Sequence, residues 1–559
     1  MATTERIKPS RRFEGCPITE TLSGMPIKPV YTPEDVEDID YQKDLANPGE
    51  YPFTRGIWSD MYRGKLWTRR VFTGLGSGMD TNERYRYLLA HGETGLYWFG
   101  DVPSYHGIDP DHPLAKGTAG VSGVSYCCLR DVHDMFEGIS LEDVSVSHNS
   151  TSMVTPVSYA AFVANAEDEG FDLRKLTGSV INEPMQCTLT VHNTNSEPID
   201  LAVKVCTDLI EYSIEHTPRW HPLAPNAYDL KDYGAYSAEE MAFTIAITRE
   251  YIERMLDRGH DIDEFASRIN VFGCSTDIDF FEEIAKYRAV RKVWARLMKE
   301  KYGAKKPESC RLYLSSHTEG TSLTRAQPVN NIIRVTLQTL ACVLGGLQSV
   351  DPTGYLEAYY TLTEEEALTN LNLQNILAYE AGVAATADPL AGSYYVESLT
   401  SQLEEGMWGI LDEIERKGGA IAVTKSGWMR SELDRMNIDR QKKIEEKKRI
   451  IVGLNEFVVP KEQEVPIKLG RDRTLGEQIA TSQRLEQRII EFKERRDKSR
   501  TKAALESLGE EATKGEKHNL IPAIIEALRV DATMGEILGV IRQANGADYD
   551  PLRMVSYPF

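Results

Sequence analysis

Between residues 51 and 420 the chain alternates short apolar runs with segments of helical periodicity. Six of the runs end in polar residues and predict β-strands at 95–101, 144–150, 178–183, 270–273, 311–316 and 347–351. Strands that alternate with amphipathic helices favour a parallel α/β fold, and at this length its commonest form is a (β/α)8 TIM barrel. A doubly wound sheet is the alternative, although no GxGxxG motif follows a strand.

Three of the intervening helices are predicted to begin at a capping box. In this motif a hydroxyl residue and an acidic residue three positions later each satisfy a backbone N–H that the helix leaves unpaired. The matching pairs are Ser237 with Glu240, Thr363 with Glu366, and Ser401 with Glu404.

The two flanks differ from this alternating body. Residues 1–50 contain six prolines and little apolar periodicity, which predicts an extended N-terminal arm around the body, with a disordered tail as the alternative. Past residue 420 the chain is highly charged and helical in periodicity, and a final apolar stretch follows. The predicted units are therefore an arm at 1–50, a substrate-binding barrel at 51–420, and a helical, partner-docking C-terminal region at 421–559.

One predicted strand and the residues just beyond it are rich in small hydroxyl side chains. Ser145, Ser147, Ser150, Thr151 and Ser152 stand where a barrel strand usually carries Val, Ile or Leu. If they face the barrel interior, they leave room and hydrogen bonds for an elongated polar ligand. If they face solvent, they form an ordinary exposed strand and loop.

Charge and cysteine usage exclude several classes of partner. The formal net charge of −21 repels nucleic acid and anionic membrane surfaces, and no run reaches the roughly 18 apolar residues of a membrane-spanning helix. The N-terminus has no apolar run like that of a signal peptide. Eight cysteines without a CxxC pair predict reduced thiols in the cytoplasm and no metal site.

Several segments, in order, resemble the methylmalonyl-CoA mutase family. They are TRGIWSDMYRGKLWTRRVFTG (54–74), NERYRYLLAHGETGL (82–96), DVPSYHGIDPDHP (101–113), EGTSLTRAQPVNNIIR (319–334), DPLAGSYYVESLT (388–400) and ATMGEI (532–537). The resemblance runs from Tyr51 to the C-terminus. It implies a barrel threaded along its axis by the pantetheine arm of CoA, with cobalamin at one end, and a radical exchange of a hydrogen and the thioester group between neighbouring carbons.

The D-x-H-x-x-G motif that supplies the cobalt ligand in such mutases does not occur in the sequence. The chain therefore resembles the large subunit of split mutases. This implies adenosylcobalamin held on a separate small subunit, a heterotetramer of two large and two small subunits, and a chaperone GTPase as a further partner. The alternative is a non-catalytic barrel that serves as a scaffold for the small subunit or the GTPase.

The resemblance assigns roles position by position. It implies CoA and substrate contacts at Trp58, Met61, Lys65, Thr68, Arg70, Ser147, Arg268 and Asn270. It implies contacts near the corrin ring at Gly100, Tyr105, Asp232, Gly320, Thr321, Glu357 and Ala358. The reacting carbons are expected to lie beside Phe72, Asn182, His192 and Asp229.

Three of these positions depart from methylmalonyl-CoA mutase. Phe72 replaces a tyrosine, His192 replaces the arginine that binds the substrate carboxylate, and Asp229 replaces a histidine. Without the arginine, methylmalonyl-CoA is not the expected substrate. The candidates are a branched or hydroxylated short acyl-CoA, whose hydroxyl Asp229 would bind, or an aryl-substituted succinyl- or malonyl-CoA paired with protonated His192. Asp229 could instead be a loop residue that points to water.

Overall fold

Eight parallel strands form the centre of the protein. The structure is a computed structural model that describes residues 15–190, 197–359, 362–460 and 474–559. Within these ranges the strands are β1 (Thr68–Arg69), β2 (Gly95–Phe99), β3 (Ser145–Asn149), β4 (Thr177–Ile181), β5 (Trp220–His221), β6 (Val271–Thr276), β7 (Tyr313–Thr318) and β8 (Ser349–Asp351). They pair in two four-stranded sheets, β1-β8-β7-β6 and β2-β3-β4-β5.

Backbone hydrogen bonds join the edges of the two sheets. Thr94 N donates to Arg69 O at 3.1 Å between β2 and β1, and Gly273 N donates to Pro225 O at 3.0 Å between β6 and the segment after β5. Spatial neighbours thus follow chain order throughout, which is the order of a (β/α)8 barrel. The predicted parallel α/β fold is confirmed. The doubly wound alternative is wrong because such a sheet reverses its strand order in the middle.

Helices connect and surround the strands. Among the described residues they are α1 (Gly78–Ala90), α2 (Val102–Tyr105), α3 (Leu129–Phe136), α4 (Val154–Asp168), α5 (Pro184–Leu189), α6 (Ile199–His216), α7 (Ala227–Asp232), α8 (Ser237–Arg258), α9 (Ile262–Phe265), α10 (Phe280–Arg296), α11 (Pro307–Cys310), α12 (Asn330–Leu344), α13 (Glu364–Tyr379), α14 (Tyr394–Arg416), α15 (Ala420–Lys425), α16 (Trp428–Glu445), α17 (Leu475–Arg495), α18 (Lys498–Ala512), α19 (Ile521–Arg529) and α20 (Met534–Ala544). No described helix is long and apolar enough to span a membrane.

Of the three predicted capping boxes, the structure contains one. Thr363 and Glu366 cap α13 reciprocally. Ser237 is instead the first residue of α8, and its hydroxyl donates to Glu282. Ser401 lies inside α14, whose N-cap, Ser393, is about two turns earlier. The motif failed there because the apolar periodicity of α14 continues upstream of Ser401.

Two hydrophobic cores flank the strands. The larger one combines β6–β8 with α8, α10 and α14, and also takes in Leu433 and Met436 of α16. The second packs β2–β4 against α3 and α4, and the C-terminal helices α18–α20 join it through residues such as Leu508, Ile524 and Ile537. The described residues of the segment 421–559 therefore pack onto both halves of the body.

The described part of the N-terminal arm is attached to α10. Residues 15–50 contain only single-turn helices, at Pro33–Val36 and Tyr41–Leu45. Leu22 N donates to Asp279 Oδ2 at 2.8 Å, and the Ser23 hydroxyl donates to Glu282. Because Glu282 also accepts from Ser237, this contact ties the arm to α8.

Candidate functional site

The strands keep one row of side chains accessible inside the ring. On β7 the alternate residues Tyr313, Ser315 and His317 are partly exposed, whereas their neighbours Leu314 and Ser316 are buried. Successive side chains of a strand point to opposite faces. Since Leu314 belongs to the outer hydrophobic core, the accessible row faces the interior.

Small hydroxyl residues occupy much of this inner face. The strand register pairs Ser147 with Ser179, whose hydroxyls lie 3.3 Å apart, and it pairs Ser315 with Ser349. Thr68 and Gly273 stand at the same level of the ring. A typical barrel fills these layers with Val, Ile and Leu. The structure thus supports the inward-facing interpretation of Ser145 and Ser147, and the ring retains accessible, hydroxyl-lined interior surface.

Cations lie at the N-terminal ends of the strands. Lys65 precedes β1 and is exposed, and Arg268 precedes β6 and is half-buried. Neither side chain has a hydrogen-bond or ion-pair partner within the described ranges, and burial lowers the pKa of Arg268. Trp58 is exposed, with its ring edge-on to that of Tyr313, the first residue of β7, at 5.9 Å. Unpaired Lys and Arg donors are suited to phosphate oxygens.

Two other residues predicted to contact CoA are structural in this conformation. Met61 is buried in the larger core. Asn270 is fully buried, and its amide donates to Glu308 O at 3.3 Å and to Arg311 O at 2.7 Å, which fixes the connection into β7.

Arg70 lies inside the ring and joins four strands. Its guanidinium donates to Ser349 Oγ (3.1 Å), Leu96 O (2.6 Å), Ser145 O (2.9 Å) and Ser145 Oγ (2.7 Å). These bonds use four of its five N–H donors. Burial lowers its pKa to about 10, so it remains charged at neutral pH. Arg70 therefore braces the ring and keeps little capacity to bind a phosphate.

An aromatic wall stands at the C-terminal ends of the strands. The ring of Phe72 lies 4.3 Å from that of Phe99, 5.0 Å from that of Tyr97 and 5.4 Å from that of His317, measured between centroids. The ring of Tyr228, on α7, packs edge-on to that of His317, with 5.0 Å between the centroids. Phe72 is partly accessible, and it faces the end of the interior opposite to Lys65 and Arg268.

His317 is a residue of this wall that the sequence did not indicate. Its Nδ1 lies 3.0 Å from Asp351 Oδ2, and its Nε2 lies 2.9 Å from Thr353 Oγ1. Burial lowers the pKa of His317, but Asp351 and two nearby glutamates outweigh burial and raise it to about 9. The only signal in the sequence was that a histidine and an aspartate each lie at the end of a strand-like run.

Carboxylates surround the same end of the ring. Asp229 and Asp232 lie on α7, Glu319 follows β7, and Glu357 follows β8. Burial, and after it Glu319, raises the pKa of Asp232 to about 8. Asp229 is buried, so the structure does not support its alternative as a water-facing loop residue.

The residues predicted near a corrin ring gather at this end too. A Cβ on Gly320 would come within 3.1 Å of both Glu357 Oε1 and Tyr228 Oη, so only glycine leaves that space open. Thr321 Oγ1 accepts from Arg440 at 3.0 Å, and Ala358 is exposed. Tyr105 is buried and donates to Asn149 at 3.1 Å. Gly100 packs close to the ring of Tyr126.

Of the predicted catalytic residues, the structure brings Phe72 and Asp229 to one end of the ring. Asn182 follows β4 and is fully buried; its amide donates to Cys206 O at 2.9 Å and to Pro222 O at 3.0 Å. Its Oδ1 has no partner among the described residues. His192 lies outside the described residues.

Comparison with known proteins agrees with this geometry. The family model described as methylmalonyl-CoA mutase matches residues 20–547. The chain is 37% identical to the 2-hydroxyisobutanoyl-CoA mutase large subunit of Aquincola tertiaricarbonis, over 93% of this chain and 90% of that protein. It is 36% identical to the methylmalonyl-CoA mutase of Rhizobium meliloti (95% and 73%) and 32% identical to the human mitochondrial enzyme (96% and 70%). The chain therefore belongs to the methylmalonyl-CoA mutase family of cobalamin-dependent acyl-CoA mutases.

Proposed function

We propose that this chain is the large, substrate-binding subunit of an adenosylcobalamin-dependent acyl-CoA mutase, and that it works with a separate cobalamin-binding small subunit. The observation that carries the proposal is the accessible interior lined by small hydroxyls, with unpaired cations at one end and an aromatic wall at the other. Similarity to a protein named as a mutase large subunit supports the divided arrangement.

The difference between the two ends of the interior would orient the bound thioester. Lys65 and Arg268 would bind the CoA phosphates, because no described residue pairs with their donors and the protein as a whole is acidic. The pantetheine arm would pass between the hydroxyls of Ser147, Ser179 and Ser315. The acyl group would then lie against Phe72. Enclosure of this kind excludes water and other hydrogen donors that would quench a radical.

The C-terminal end of the ring fits a cobalamin. Gly320 leaves an open cradle beside Glu357, and the accessible Ala358 adds no bulk there. When bound, adenosylcobalamin supplies the radical that begins the rearrangement, and the protein supplies position and shelter. Glu357 and Thr321 would contact the group, while Tyr228 and His317 would separate it from Phe72.

Two substrate classes suit the departures from methylmalonyl-CoA mutase. The first is a branched or hydroxylated short acyl-CoA, and the second is an aryl-substituted succinyl- or malonyl-CoA. Both place a hydrocarbon group against Phe72, Tyr97 and Phe99. They differ in whether the substrate carries a free carboxylate.

The proposal is tested by reconstitution. The purified chain is mixed with a cognate small subunit, adenosylcobalamin and both substrate classes, and isomerised thioesters are sought by mass spectrometry alongside a cobalt-coupled radical signal. We expect turnover only when both subunits are present. A chain that binds neither CoA nor any thioester would refute the proposal and would favour a scaffold.

A further inference from the structure

We propose that Cys127, Cys128 and Asp131 form a binding site for one zinc ion. The site lies at the start of α3, which packs on the outside of β2–β4, and it is independent of the proposed function. All three side chains are buried, and one ligand atom from each lies within 4.8 Å of the other two. The sequence predicted no metal site because its cysteines form no CxxC pair, whereas here a carboxylate joins two adjacent cysteines.

The spacing of the ligand atoms is close to that of a tetrahedral zinc centre. Zinc lies about 2.3 Å from a thiolate sulfur and about 2.1 Å from a carboxylate oxygen, so sulfur and oxygen ligands are about 3.6 Å apart. The Cys128 thiol donates to Asp131 Oδ2, and the two atoms are 3.4 Å apart. A zinc ion would replace the thiol proton between these atoms with little movement of either side chain.

The backbone holds the carboxylate in this position. Asp131 Oδ2 accepts from Cys127 N at 2.8 Å and from Cys128 N at 3.2 Å. Cys128 is the N-cap residue of α3, a position where Ser, Thr, Asp and Asn stabilise a helix best. Helix capping therefore does not account for the choice of cysteine, whereas a thiolate ligand does.

The charges of the bound site balance. Each thiol loses its proton to solvent when the metal binds, so two thiolates and one carboxylate carry three negative charges. The zinc ion supplies two positive charges, and Arg488 of α17, which donates to Asp131 Oδ1, supplies the third. Buried charges are tolerated when they are paired or bind a metal, so a neutral site meets that condition.

An open cavity gives the ion a route to the site. Cys128 lines a surface cavity of about 400 Å³, together with Arg488, Phe492 and Asp531. Zinc is usually four-coordinate, and three protein ligands leave one position for water. The cavity has room for that water beside Cys128.

The ion would link segments that lie far apart in the chain. Cys127 O accepts from Met534 N at 2.7 Å, at the start of α20, and Arg488 belongs to α17. Zinc bound to Cys127 and Asp131 would thus strengthen the attachment of the C-terminal helices to α3. Because it binds the folded chain, zinc should raise the midpoint of thermal unfolding.

Metal titration of the full-length chain tests the proposal. Cys16 is exposed and can bind metal by itself, so Cys16→Ser serves as the reference protein. The reduced, metal-free protein is titrated with Zn²⁺ by calorimetry and with Co²⁺ by absorption spectroscopy, since thiolate ligands give cobalt an intense near-ultraviolet band. We expect one Zn²⁺ per chain and a saturable thiolate–cobalt band.

Variants in the reference protein locate the ion. Cys128→Ser removes one thiolate and keeps a residue that helices prefer at the N-cap, and Cys127→Ala removes the other thiolate. Each should weaken zinc binding by at least about 100-fold. Cys310→Ala removes a buried thiol elsewhere and should leave zinc binding unchanged. Circular dichroism checks that the variants are folded.

X-ray absorption of the zinc-loaded reference protein needs no variant in the site. It should show two sulfur neighbours at about 2.3 Å, with oxygen or nitrogen completing the shell. The proposal is wrong if the reference protein binds no zinc, if the ion has other than two sulfur neighbours, or if the folded Cys127→Ala and Cys128→Ser variants bind zinc as tightly as the reference.

Discussion

The two ends of the strand ring differ in charge and in how their polar groups are used. At the N-terminal ends, the donors of Lys65 and Arg268 have no partner within the described ranges. At the C-terminal ends, His317 is locked between Asp351 and Thr353 in the midst of further carboxylates. A free cation can bind an incoming anion, whereas a paired one can only support structure. The contrast supports the proposal that one end binds phosphates while the side chains of the other end form a fixed wall.

The largest effect is expected from breaking the locked end. Asp351→Ala leaves the partly buried His317 imidazolium without its counter-charge, and we expect the free energy of unfolding to fall by about 3 kcal/mol. Urea unfolding at pH 7 measures this loss. Asp412→Ala, on the exposed face of α14, should change stability by less than about 0.5 kcal/mol. Equal losses in the two variants would show that the pair is not structurally special.

At the opposite end we expect loss of binding without loss of stability. Arg268→Ala removes charged donors that have no partner among the described residues, so CoA should bind about 10- to 100-fold more weakly. Calorimetry with CoA gives the affinity, and urea unfolding should be unchanged. Lys502→Ala, an exposed cation on α18, should leave CoA binding intact. If Arg268→Ala instead lowered the free energy of unfolding, Arg268 would stabilise the fold as His317 does, and the proposed difference between the two ends would be wrong.

The carboxylates of the C-terminal end should also produce a pH dependence of stability. The pKa of Asp232 is raised to about 8, above the value of about 3.9 for an unfolded chain. The native state therefore holds this proton at higher pH, and the resulting stability is lost as pH rises from about 4 to 8.

Between pH 6 and 8, the free energy of unfolding should fall less steeply with rising pH in Asp232→Asn than in the unaltered protein. The two slopes should differ by up to about 1.4 kcal/mol per pH unit. Urea unfolding at several pH values measures the slope, and Asp412→Asn should leave it unchanged. An unaltered slope in Asp232→Asn would mean that this carboxyl titrates normally.

The smallest effect concerns the loop that carries Glu357. Glu366 completes the cap of α13 with Thr363 and also accepts from Leu356 N at 3.0 Å, so the cap anchors this loop. Thr363→Ala should cost about 1 kcal/mol in urea unfolding. Ser401→Ala, inside α14, should cost less than Thr363→Ala, and the reverse order would contradict the observed positions of the two helix starts.

Six of the eight described strands could be predicted from the sequence, because each contains at least three residues within a recognisable strand-like run. β1 and β5 were missed because each has only two residues, too few to show a period. Their places depend on backbone pairing with β8 and β4.

Residues of the site could be predicted only where the resemblance to a known family assigns them. Phe72 and Gly320 lie in segments that resemble a known family, and the same resemblance assigned Arg268 by its position alone. The pairing of His317 with Asp351 joins residues 34 positions apart through the register of β7 and β8. Likewise, the sequence showed Arg70 as a cation but not that Ser145 and Ser349 already use its donors. Side-chain saturation of this kind depends on tertiary packing.

The central claim is that the interior of the ring receives a CoA thioester, and obstruction of that interior tests it most directly. Ser179→Trp places a large ring on the inner face of β4, and Ser431→Trp places the same ring on the exposed surface of α16. Calorimetry with isobutyryl-CoA should show binding to the unaltered chain and to Ser431→Trp, and none to a folded Ser179→Trp protein. Unchanged binding to Ser179→Trp would contradict the claim.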